Sequence, residues 1–137
     1  MMNRKIYRIL IALYITLITF PYIFAWCQVG EGREFAGFLA NYMDGQSYIA
    51  KMMLGWQGEW KFIPLYSAET GDGAFLFTFY IFLGHVSRIL SIRPIYAFHA
   101  ARVLSAIFLI FTIRLLVRQI FRDQPRSELL AFILVTF

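Results

Sequence analysis

The sequence predicts an all-α, polytopic helical membrane protein, and three observations carry that expectation. Hydrophobic residues fill 60% of the 137 positions and charged residues only 15%, against about 45–50% and about 25% in soluble domains. The apolar residues gather into long runs, above all 9–27, which carries no charge, and 95–113, whose one formal charge is Arg102. Aromatic residues reach 19%, with 15 Phe and 8 Tyr, which suits lipid-facing and interfacial helix surfaces.

Residues 9–27 form the first expected span. They carry no charge, and as a helix they cover about 28 Å, close to the ~30 Å hydrocarbon core. Arg4, Lys5 and Arg8 precede the run and only Arg33 follows closely. The excess of basic residues places the N-terminus in the cytoplasm and residue 28 onward outside. Tyr22 and Trp26 suit the outer headgroup belt, and Pro21 kinks the last turn. A cleaved signal peptide is the rival reading. The run exceeds the usual apolar core of about 7–15 residues, and Ala25-Trp26-Cys27 sets a bulky ring where cleavage needs a small residue. An uncleaved anchor is therefore expected, and the same Trp argues against a lipidated Cys27.

Residues 28–72 form an external loop of different character. They hold Glu31, Glu34, Asp44, Glu59, Glu69 and Asp72 but only Arg33, Lys51 and Lys61 as bases. Phe35, Phe38, Leu39 and Tyr42 recur at helical spacing, as do Tyr48, Ile49, Met52, Met53 and Trp56. Two short amphipathic helices in the outer interface account for both stripes; a small soluble subdomain packing the same faces together accounts for them equally well.

A second span is expected over 73–92, with Arg88 snorkelling to the surface, and Arg93-Pro94 breaks the chain. The third span, 95–113, carries His99 and Arg102. After Pro125, Ser127 is placed to cap a further helix. The apolar run that follows, within 127–137, is too short to cross a bilayer, so the sequence reads as an N-terminal fragment whose fourth span is cut short. Counting three spans puts Arg114, Arg118, Arg122 and Arg126 outside, against the usual bias of basic residues. Either 73–92 dips in without crossing or this turn is an exception; the expectation here is the exception.

The net charge of +5 would suit nucleic acid in a soluble chain. Here the basic residues flank hydrophobic runs, and the lipid bilayer is the expected partner rather than nucleic acid. Arg114, Arg118 and Arg122 form one basic stripe, which headgroup phosphate satisfies. A single cysteine excludes an internal disulfide and a Cys-based zinc cluster. Two histidines without nearby ligands make a poor metal site, so no metal and no cofactor are expected, although a divalent ion would be compatible with the acids. No phosphate-binding Gly loop and no Ser-His-Asp pattern occurs.

Four places can carry chemistry. Asp44, in Asn41-Tyr-Met-Asp44-Gly-Gln-Ser-Tyr48, reads as an N-cap accepting from the Gln46 or Ser47 amide, or as a membrane-surface carboxylate acting as general base. Glu69 and Asp72, in Glu69-Thr-Gly-Asp72-Gly, read as turn and cap chemistry, with Asp72 a natural cap, or as acids converging on the same substrate site. His99 and Arg102 share a helix face, where they either bond neighbouring helices or bind substrate. His85 reads as a packing residue.

In this order of parts, the chain resembles the N-terminal region of the GT-C-fold glycosyltransferases, polytopic enzymes that use polyprenyl-phosphate sugar donors; the protein O-mannosyltransferases and aminoarabinose transferases are among them. The resemblance lies in one span, a long external loop bearing Asp44, and closely spaced spans after it. Local matches are Gly55-Trp-Gln-Gly-Glu59-Trp60, Phe79-Tyr80-Ile-Phe-Leu-Gly84-His85 and Phe98-His99-Ala-Ala-Arg102, similar to an uncharacterised bacterial branch. Thr70-Gly-Asp-Gly73 departs from the basic residue and Pro-Pro with which many relatives open the second span. The resemblance implies a transferase of the bacterial plasma membrane. Asp44 would deprotonate an acceptor hydroxyl as the sugar leaves the phosphate of its lipid-linked donor with inversion; Glu69, Asp72, His99 and Arg102 would help hold the substrates. The fragment by itself is expected to be inactive. Other classes fit the pattern too: a transporter or flippase using His99 and Arg102 at mid-depth, or a non-catalytic membrane scaffold.

Overall fold

The computed structural model describes residues 4–64, 71–122 and 124–137 and is all-helical in its regular elements. Among the described residues five helices follow one another: α1 (Arg4–Cys27), α2 (Tyr42–Gln57), α3 (Thr78–Ile89), α4 (Pro94–Ile120) and α5 (Pro125–Thr136). Three to four membrane-crossing helices were expected; two, α1 and α4, are long and apolar enough to cross a membrane. At 24 and 27 residues they reach about 36 and 40 Å. Both overrun the expected spans 9–27 and 95–113, because a helix continues through Lys5, Arg8, Arg114 and Arg118 as readily as through Leu. Their outward side chains are apolar: Ile9, Leu13, Leu17, Phe20 and Ile23 on α1, and Leu104, Phe108, Phe111 and Leu115 on α4, are all exposed.

Two compact units divide the chain, one of residues 4–28 with 102–137, the other Val29–Ala101. In the first, α1 and the 102–120 part of α4 run antiparallel. Arg102 meets Ile18 and Tyr22 near one end of α1, and Arg114 lies over the Tyr7 ring near the other. Tyr7, Ile110, Val117 and Phe132 make the buried core, with Phe132 from α5 set edge-on to Tyr7 at 5.2 Å. The Tyr7 hydroxyl donates to Glu128 Oε1 at 2.9 Å. Pro125, whose missing N–H is no loss at a first helical position, begins α5. The N-cap is Gln124, not the expected Ser127, whose hydroxyl instead bonds Gln124 Oε1 at 3.1 Å.

In the second unit α2 and α3 pack in close contact, and their contacts advance together along both helices. Tyr48 stacks on Tyr80, Gly55 faces Ile81 and His85, and Gly58 lies by Arg88. The return between them carries an antiparallel bridge, Phe62 with Ala74, closed by hydrogen bonds of 2.8 and 3.1 Å. Met52, Leu83 and Ala97 form the core, the last from the first turns of α4.

The two amphipathic helices expected in 28–72 reduce to one. The stripe from Tyr48 to Trp56 lies within α2, whereas Phe35–Leu39 is irregular. Gly37 at φ 88 and Asn41 at φ 48 take left-handed backbone there, which ends any right-handed turn.

Candidate functional site

The segment before α2 is held at several points. The Arg93 guanidinium pairs with Glu34 at 3.1 Å on the surface, and that carboxylate holds Arg93 above its usual basicity. Gln46 Nε2 donates to Ala36 O at 3.1 Å. His99 Nε2 lies 2.8 Å from Gly37 O; a carbonyl only accepts, so this nitrogen carries the proton. The Phe38 ring packs edge-on to Phe98 at 5.3 Å and lies against Gly45. These contacts fix the chain entering α2, and hence the first turn of that helix.

Asp44 sits in that first turn with its side chain exposed. It is not the N-cap. Asn41 holds that position with its backbone alone, its side chain making no capping bond, and Gly45 N bonds Asn41 O at 3.0 Å. None of the hydrogen bonds or ion pairs among the described residues takes the Asp44 carboxylate. The charge still complements the positive end of α2.

Asp44, Ser47 and Lys51 follow at i, i+3 and i+7, one face of α2. Lys51 is the residue that sequence reasoning passed over. Although a lysine, it is only 9% exposed; its ammonium donates to Ser47 Oγ at 2.6 Å and lies over the rings of Phe77 at 4.3 Å and Tyr48 at 5.3 Å. Ammonium over aromatic faces is favourable, the more so when water is excluded. Tyr48 and Tyr80 stack with centroids 4.6 Å apart. Burial foremost, then the charge and hydrogen bond of Tyr48, push the Tyr80 hydroxyl above its ordinary pKa. The cluster thus joins an exposed carboxylate, a hydroxyl, a buried ammonium and a floor of aromatic rings.

The other expected residues fall elsewhere. Asp72 is exposed and does not cap α3, whose N-cap is Phe77 at φ 54; no described contact joins it to Asp44. Glu69 lies outside the described residues. His99 and Arg102, adjacent on the helix, are each bonded to a backbone carbonyl: His99 to Gly37, Arg102 Nη1 to Ile18 O at 2.8 Å, the guanidinium also lying 4.0 Å from the Tyr22 ring centroid. The Ile18 carbonyl neighbours that of Leu17, which loses its helical donor because Pro21 has no N–H. Arg102 thus bonds the carbonyl next to the one that Pro21 leaves without its helical donor. His85 packs, as expected, stacked on Trp60 at 4.1 Å with Nε2 3.0 Å from Glu59 O. No group of three or more His, Cys, Asp or Glu is placed to hold a metal among the described residues.

Among the described residues the regular structure is all helical, and two of the helices are long and apolar enough to cross a membrane. No protein-family model, no curated protein and no solved structure matches it.

Proposed function

We propose that this chain is part of an integral-membrane glycosyltransferase of the GT-C kind, set in a bacterial plasma membrane with its N-terminus cytoplasmic and residues 28–72 external. The observation that carries the reading is Asp44: an exposed carboxylate, neither a cap nor an ion-pair partner among the described residues, on a first turn fixed by its neighbours. A general base must be accessible and held in place. Asp44 takes the proton of an acceptor hydroxyl as that oxygen attacks the anomeric carbon. The bond from that carbon to the donor phosphate breaks, and polyprenyl phosphate leaves with the electron pair.

Lys51, two turns along the same face, supports an anionic donor, because its ammonium is buried among rings where charge acts strongly. Glu69 and Asp72 are assigned to positioning the substrates, His99 to holding the Glu34–Phe38 segment, and Arg102 to joining α4 to α1. The apolar side chains exposed along α1 and α4 support the membrane setting.

The test is Asp44→Asn in the full-length enzyme of which this chain is part, assayed in membranes with a polyprenyl-phosphate sugar donor. Asparagine keeps the shape and removes the proton acceptor, so transfer should fall about 10²–10⁴-fold with insertion and thermal stability unchanged. Wild-type transfer by this variant would overturn the assignment.

A further inference from the structure

We infer that α3 does not cross the membrane but docks on outer-leaflet lipid through Phe79, Phe82 and Ile89, so that Arg114, Arg118, Arg122 and Arg126 return to the cytoplasmic side. The inference rests on the membrane setting proposed above, not on the enzymatic activity.

The first argument is direction. Arg102 touches α1 at Ile18 and Tyr22, and Arg114 touches it at Tyr7, so α4 runs back along α1. If α1 leads out of the cytoplasm, α4 leads in, and the chain between them makes no net crossing. A crossing α3 would leave α4 parallel to α1.

Length gives the second. α3 has 12 residues, about 18 Å, against a hydrocarbon core of ~30 Å. It cannot be extended as it stands, because Phe77 at φ 54 precedes it and Ser91 at φ 53 follows it. Backbone that stops being helical halfway through lipid leaves amides and carbonyls without partners.

The third concerns what α3 shows to its surroundings. One face, Ile81, Leu83, Gly84 and Ser87, is buried. The other carries Phe79, Phe82 and Ile89, which are 55, 50 and 79% exposed and fall at i, i+3 and i+10, a helical stripe. Phe75 continues the apolar surface ahead of the helix. Arg88, exposed in the last turn, supplies a cation where headgroup phosphates lie, whereas Arg93 just beyond it is paired with Glu34. A shallow apolar helix with a basic residue at its end is the form that lies in an interface. With α3 on the surface, the arginines of 114–126 join Lys5 and Arg8, and the basic residues follow the usual inside bias.

Single cysteines at Gly71, Ser91 and Gln119, each in a Cys27→Ser background, test this with a membrane-impermeant maleimide on intact and permeabilised cells. Gly71→Cys and Ser91→Cys should label on intact cells, and Gln119→Cys only after permeabilisation. Gly71 labelled outside with Ser91 protected would show that α3 crosses and overturn the inference. Gly71 and Ser91 both protected, with Gln119 labelled outside, would reverse the proposed orientation yet uphold a non-crossing α3. Recovery of the protein in the soluble fraction would remove both readings. A nitroxide at Phe82→Cys, in nanodiscs of phosphatidylcholine and phosphatidylglycerol, then reads the occupant. Collision with oxygen should exceed collision with a water-soluble nickel chelate. The reverse ranking would overturn lipid docking and point to a protein partner on this face.

Discussion

Gly55 and Gly84 stand in a reciprocal relation at the crossing of α2 and α3: a methyl group on Gly55 would strike the Ile81 carbonyl oxygen, and one on Gly84 the Met52 carbonyl oxygen. Each glycine admits the backbone of the other helix, at a separation where Cα–H···O contacts form. Ser87, one turn beyond Gly84, is fully buried and returns its hydroxyl to Leu83 O at 2.9 Å, so that hydroxyl is satisfied within α3.

Gly55→Ala and Gly84→Ala should therefore each destabilise the Val29–Ala101 unit. Overpacking commonly costs about 1–3 kcal/mol, and here the obstructing atoms are backbone, which cannot swing aside like a side chain. Thermal unfolding in detergent measures the cost. Gly71→Ala, where nothing lies within 4 Å, is the matched control and should be near neutral. Equal melting temperatures for all three would mean the helices separate freely.

A second expectation concerns Arg102 and Pro21. If the guanidinium compensates for the ladder that Pro21 weakens, Arg102→Met should cost more in the native background than in Pro21→Ala. Coupling energies between interacting residues run about 0.5–3 kcal/mol, and interhelical hydrogen bonds in membranes reach about 1.7. Arg102→Lys should restore little, because an ammonium lacks the planar group that both bonds Ile18 O and lies over Tyr22. Additivity across the cycle would separate the two residues.

Tyr80 sets the response to alkali. Its folded pKa is raised, chiefly by burial and then by Tyr48, so the folded state disfavours the tyrosinate more than the unfolded chain does. The stabilisation is complete below the ordinary tyrosine value of about 10 and is lost as pH rises through the folded value. Stability of the Val29–Ala101 unit should fall above about pH 10, and Tyr80→Phe should flatten that slope. An unchanged slope in Tyr80→Phe, followed by denaturant melts across the range, would assign the loss to other groups.

The two long helices are legible in the amino-acid sequence. The runs 9–27 and 95–113 lie within α1 and α4, because so long a run of apolar residues, with Arg102 its one formal charge, has few causes. Charge was a poor guide to where those helices end, since Lys5 and Arg114 lie inside them. The stripe Phe35–Tyr42 misled for a physical reason: periodic rings can arise in irregular chain when Gly37 and Asn41 reverse the backbone. Asp44 drew notice as a lone acid between apolar stripes, but its capping role went to Asn41, an exchange that composition cannot decide. Lys51 was invisible because a lysine on an amphipathic helix normally faces water; its burial depends on Phe77, distant in sequence. The carbonyl partners of His99 and Arg102 were equally out of reach, both lying more than 60 residues away.

The last prediction links this packing to the proposed chemistry through His99. Gly37 is buried at φ 88, and its carbonyl accepts from His99 Nε2 at 2.8 Å. His99→Phe keeps an aromatic ring beside Phe38 and Phe98 but removes the donor, leaving a buried carbonyl unsatisfied at a cost of about 1–3 kcal/mol. His99→Gln retains a donor and should cost less. In limited proteolysis the Glu34–Phe38 segment should be cut faster in His99→Phe than in His99→Gln or wild type. Because that segment fixes the turn bearing Asp44, transfer should also weaken in His99→Phe, though less than in Asp44→Asn, since the base is still present. A positioning role predicts the same pH profile as wild type with a lower kcat, and recovery in the glutamine variant. Loss of transfer in His99→Gln equal to that in Asp44→Asn, with the segment still protected, would instead make the imidazole itself a participant in the reaction.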